Sequence, residues 1–66
     1  MNIPSAVAMV IADLKQNEAV QAAAKLGDRA SLFRLLRGLM QESRMRVLPP
    51  EMLQAYATAT TDALLA

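Results

Sequence analysis

The chain contains no cysteine and no histidine. The first absence excludes disulfides and thiolate metal sites. The second removes the commonest zinc ligand and general base. Glycine occurs only as Gly27 and Gly38, too few for a glycine-rich phosphate loop. Phe33 and Tyr56 are the whole aromatic inventory. The longest apolar run, from Ala6 to Ala12, is far short of the ~20 residues that span a bilayer. No basic segment precedes that run, because Asn2, Ile3, Pro4 and Ser5 follow Met1 directly, so a cytoplasmic protein without a membrane span is expected.

What is present is helix-forming and apolar. The 66 residues are 55% hydrophobic, dominated by Ala, Leu and five Met. A domain of this size buries only about 60% of its unfolded surface, and small domains lean on a staple. With disulfides and metal ligation removed, that staple would be association with another chain, either a larger partner or a second copy. Net charge is only +1, which argues against general affinity for nucleic acid. Five of the seven basic residues nevertheless sit in the middle third, as Arg29, Arg34, Arg37, Arg44 and Arg46.

Punctuation along the chain predicts an all-α fold, a small bundle of three to four short helices. Pro4 opens a first helix, or Ser5 caps it, and Val7, Val10, Ile11 and Leu14 follow at i, i+3, i+4 and i+7. Asn17 is a natural N-cap for a short second helix that ends at Gly27. Asp28 caps a third, whose Leu32, Leu35, Leu36, Leu39 and Met40 span an arc of roughly 160°, with Phe33 at its edge. This stretch is expected to be the longest amphipathic helix. Arg34, Arg37 and Arg44 would lie together outside the arc, within about 80° of one another. Pro49 forces an end by Leu48, and Pro50-Glu51 starts a last helix. A helical domain over residues 1–54 is expected, followed by a helical extension or flexible tail over 55–66 that is rich in Ala and Thr.

Chemistry is poorly supplied. Ser31 and Ser43 have no base at a useful spacing, and Asp13 and Glu18 read as solvated charges at helix ends. No catalytic residue, cofactor or metal is expected, and the chain reads as no enzyme. The apolar surplus is more telling. The first helix adds Ala6, Met9 and Ala12 to its stripe and is apolar nearly all round until Asp13. Such a helix needs burial on more than one side, as when it docks in a partner's groove. Val10, Leu14, Arg34, Arg37 and Arg44 are the expected partner-binding residues, the first two as anchors and the arginines as steering charges.

One pattern joins these features. Asn17-Glu18-Ala19-Val20-Gln21 follows a hydrophobic first helix, Asp28 caps a longer helix from Leu32 to Met40, and Leu48-Pro49-Pro50-Glu51-Met52-Leu53 begins the last. Over about residues 4–54 this order resembles the Nif11-type leader domain of ribosomally made, modified peptide precursors. The family usually has a Gly near the end of the longer helix, where Arg44, Met45 and Arg46 stand here. The Gly-Gly cleavage site and Cys-bearing core peptide of many members are both missing. The resemblance implies a leader docked on a modifying enzyme. Tyr56, Thr58, Thr60 and Thr61 would then be candidate modification sites, with thioether rings within the chain excluded. The alternative is a small accessory or regulatory subunit of an oligomeric complex. A DNA-binding regulator comes third.

Overall fold

The computed structural model describes residues 4–66; Met1, Asn2 and Ile3, and what was read from them, lie outside it. Four α-helices follow one another: α1 (Ser5–Lys15), α2 (Glu18–Leu26), α3 (Arg29–Gln41) and α4 (Pro50–Leu65), with a 3₁₀ turn (Arg44–Val47) before the last. The all-α expectation holds, and each boundary has a local cause.

Pro4 takes the extended cap position rather than the first helical one, and Ser5 begins α1 without a side-chain cap. At the next corner Asn17 is extended, and its side-chain oxygen accepts from the N–H groups of Ala19 and Val20 at 2.8 and 3.2 Å. Those bonds satisfy two donors that the start of a helix leaves free. Gly27 closes α2 in the left-handed region at φ 72°, where any side chain would be strained. Asp28 then caps α3 through the N–H and hydroxyl of Ser31. Pro49 stays extended, and Pro50 is the first residue of α4.

α3 covers its whole apolar pattern but ends before Arg44, which was expected on its polar side. The chain turns at Glu42, and Ser43 becomes extended. The Ser43 hydroxyl donates to the Met40 carbonyl at 2.6 Å and accepts from the Met45 N–H at 3.1 Å. This local bonding competes with another helical turn and swings Met45 into the core, where it is 1% exposed. Arg44 therefore lies on the 3₁₀ turn and not beside Arg34 and Arg37 on α3. The longest helix is α4, with 16 residues against 13 for α3.

α3 is the centre of the bundle. Its buried row is Leu32, Leu36 and Met40, with Leu35, Leu39 and Phe33 packed at the margins. α4 lies along it, contributing Leu53 and Ala57, while α2 adds Val20. α1 rests chiefly on the 3₁₀ turn, with Val7 and Leu14 buried beneath it. Fully burying one such Leu or Met stabilises the fold by about 1.5–3 kcal/mol.

The segment read as a helical extension or flexible tail is helical. α4 runs unbroken from Pro50 to Leu65, and its later turns bury Ala57, Thr60 and Thr61 and half-bury Leu64 and Leu65. Among the described residues no helix is long and apolar enough to cross a membrane.

Candidate functional site

The way α1 and α4 are held creates a surface feature. α4 packs on α3, while α1 packs on the 3₁₀ turn, so the two helices flank a groove of about 530 Å³. Its floor and walls are Ile11 from α1 and Met52, Ala55, Tyr56, Ala59 and Ala63 from α4. Met52 is 41% exposed there. Thr60 also reaches the groove, but its hydroxyl is occupied, donating to the Tyr56 carbonyl at 2.8 Å.

Lys15 is the one charged residue lining this groove. Its own carbonyl accepts from the Gln21 side-chain amide at 3.3 Å, which ties the last turn of α1 to α2. No acidic side chain pairs with its ammonium among the described residues, where the one ion pair is that of Arg29 with Asp62. The Tyr56 hydroxyl likewise has no hydrogen-bond partner in this part of the chain.

The apolar surface continues around α1. Ala8 and Ala12 are exposed beside Ile11, and Met9, further round, is 63% exposed. By helical geometry these residues form one uncovered arc next to the groove. The expectation that α1 is apolar on more sides than the fold can cover is met in this form.

The structure separates the sequence-predicted binding residues. Leu14 is buried and Val10 half-buried, so these two anchors belong to the core and its margin. Arg34 is exposed and Arg37 half-buried on α3. Arg44 instead borders a small apolar slot of about 170 Å³ between the start of α1 and the 3₁₀ turn, with Val7, Met45 and Leu48. The five residues are spread over α1, α3 and the 3₁₀ turn.

The candidate modification sites also divide. Thr58 is exposed, and Tyr56 is half-buried in the groove wall. Thr60 and Thr61 are 3% and 1% exposed, and both hydroxyls donate to carbonyls one turn back. They are closed to an enzyme while α4 is folded.

Of the groove residues, Ile11 was read only as part of the first helix's apolar stripe, and Lys15, Ala55, Ala59 and Ala63 were not assigned to a site. The available signal was a second stripe on α4: Met52, Tyr56, Ala59 and Ala63, at i, i+4, i+7 and i+11, run beside the core stripe of Leu53, Ala57 and Leu64.

Electrostatics at the site are simple. The Asp28 carboxyl is held below its ordinary pKa, chiefly by the hydrogen bond from the Ser31 hydroxyl and then by the Ser31 N–H. That accounts for a helix cap, not a reacting group. No three acidic, His or Cys residues cluster as a metal site among the described residues. No protein-family model, curated protein or solved structure matches this chain.

Proposed function

We propose that this chain is a non-catalytic helical module that binds a larger protein, in the manner of a small accessory subunit of a cytoplasmic complex. One observation carries the reading: the groove between α1 and α4 is apolar and uncovered, in a chain too small to waste burial. Covering it would supply the staple that a cysteine-free domain of this size otherwise lacks. Exposed Arg34 and half-buried Arg37 would speed the encounter with an acidic surface in a salt-sensitive way.

The packing of α4 favours the subunit over a modified precursor. Tyr56, Leu64 and Leu65 lie against the core, and Thr60 and Thr61 are buried. The leader reading keeps its support in the order of caps and helices. It would require α4 to unwind for any modification beyond Thr58 and Tyr56.

Tagged protein purified from the organism that encodes it, at low salt, tests the proposal. The expected result is an assembly well above 7.1 kDa holding a second protein in fixed ratio, with this chain at its unmodified mass. Recovery as a lone 7.1 kDa chain would sink the reading. A mass increment mapping to Tyr56 or Thr58 would replace it with the precursor reading.

A further inference from the structure

We infer that, in the free protein, a second copy of this chain closes the α1/α4 groove, with the two α4 helices parallel about a two-fold axis and Lys15 of each copy meeting Asp62 of the other. The larger protein of the reading above would displace that copy from the same groove, so the dimer stands or falls independently of it.

The outer side of α4 is a low ridge with a groove on either hand. Ala55 and Ala59 border both: on one side the α1/α4 groove with Ile11 and Lys15, on the other a shallow depression with Glu51 and Asp62. Counted around α4 from Glu51 at 100° per residue, Asp62 lies at about 20°, Ala55 at about 40°, Ala59 at about 80° and Ala63 at about 120°. All five are exposed. The acidic side and the lysine side are thus separated only by alanine, across which a second helix can approach closely.

Two copies can pair on that ridge in two ways. An antiparallel pair, with the two-fold across the helices, sets each side of the ridge against the same side of the other copy. Lysine side then meets lysine side, and carboxylates meet carboxylates. A parallel pair, with the two-fold along the helices, sets each side against the opposite one. α4 of the second copy then lies in the groove with Ala59 against its own counterpart, and its acidic side turns toward α1.

Lys15 stands at the right level to use it. The start of α1 borders Val47 and Leu48, just ahead of α4, while Ile11 and Lys15 border α4 itself, so both helices leave the same end of the bundle. Lys15 is one 11-residue helix beyond Pro4. That rise of about 16 Å leads along α4 from Leu48 to Ala59, one turn short of Asp62, and a lysine side chain spans the remainder. Lys15 has no acidic partner among the described residues. Asp62 bonds Arg29 of its own chain, yet its side chain remains 56% exposed, and a carboxylate can accept from a second cation. Closing the groove twice over also supplies the staple that so small a domain needs.

The test uses the purified full chain. Sedimentation equilibrium should give twice 7.1 kDa, dissociating on dilution. Lys15→Glu should weaken the dimer by roughly tenfold or more, and Lys15→Arg should keep it. Melting curves will show that both variants fold. Because the chain has no cysteine, single cysteines report the axis. In a parallel pair Met52→Cys and Ala59→Cys each meet their own counterpart, and both should give disulfide-linked dimers under mild oxidation. Leu26→Cys and Val47→Cys, at positions 82% exposed outside the groove lining, should not. A chain monomeric at every concentration, a dimer indifferent to Lys15→Glu, or linkage at only one of Met52→Cys and Ala59→Cys would overturn the inference. None of these results touches the larger protein, whose absence from material purified from the native organism is a separate finding.

Discussion

Thr61 donates its hydroxyl to the carbonyl of Ala57 one turn earlier, at 2.7 Å, inside the contact between α4 and α3. The hydroxyl is 1% exposed with its residue, yet it is satisfied, and no buried side-chain N or O lacks a partner among the described residues. The pairing makes Thr61 a core residue in spite of its polarity. It also explains how an Ala- and Thr-rich helix is held along its whole length.

Because the bond is local and the carbonyl also serves the helix, replacing the hydroxyl by a methyl should be nearly neutral. Thr61→Val is expected to shift stability by less than about 1 kcal/mol in either direction. Thr61→Asp puts an unpaired charge in the same place and should unfold the chain. Thermal melts followed by circular dichroism separate the two outcomes, and equal losses would mean that Thr61 is not in the core.

On α3, the row Leu32, Leu36 and Met40 carries the burial, while Leu35 and Leu39 sit at the margin. Leu36→Ala should therefore cost about 2–5 kcal/mol, comparable with the whole stability expected for a chain this short, about 3–10 kcal/mol. Leu35→Ala should cost clearly less. Urea unfolding of the two variants checks the order, and a reversed order would rotate the assigned face of α3.

The caps and prolines made most of the fold legible beforehand. Asn17, Gly27, Asp28 and Pro50 each act at a helix end for a reason confined to a few residues, and each stands where its chemistry predicts. The end of α3 was harder to read because no Gly or Pro marks it. It depends on the Ser43 hydroxyl and on the reward of burying Met45, which is a tertiary effect. Arg44 was misplaced for that reason. The groove was illegible for a similar one: Ile11 and Tyr56 become neighbours of one cavity only because α3 and the 3₁₀ turn hold α1 and α4 at a distance.

Asn17 gives a direct measure of one such local device. Its side chain holds the first turn of α2 through two N–H groups. Asn17→Ala removes both bonds and should destabilise the chain by about 1 kcal/mol, whereas Asn17→Asp should retain the cap. Chemical denaturation of the three proteins under identical conditions tests this, and an unchanged midpoint for Asn17→Ala would deny the cap any energetic role.

Asp28 predicts a pH dependence with a definite sign. Its carboxyl is held below the ordinary value in the folded state, so the folded chain binds its proton less readily than the unfolded one. The resulting stabilisation is fully present above the unfolded value, about pH 4, and is lost as pH falls through the depressed folded value. Asp28→Asn can still cap α3 but cannot titrate. The melting temperature of the original chain should therefore fall relative to that of Asp28→Asn as pH drops below about 4. A constant difference across that range would rule out the contribution.

Gly38 offers the last test, because α3 gives no internal reason for a glycine there. The residue is exposed in regular helix, and a Cβ built on it meets nothing within 4 Å. Glycine in a helix interior is less favourable than alanine by about 0.8–1.0 kcal/mol, through the extra freedom of the unfolded chain. Gly38→Ala should accordingly raise stability by close to that amount, seen as a higher melting temperature with an unchanged spectrum. The same variant reports on the partner. Gly38 shares α3 with Arg34 and Arg37, away from the α1/α4 groove, so a partner held through that groove should bind Gly38→Ala as well as it binds the original chain. A more stable chain with weaker binding would instead place the partner's backbone against α3.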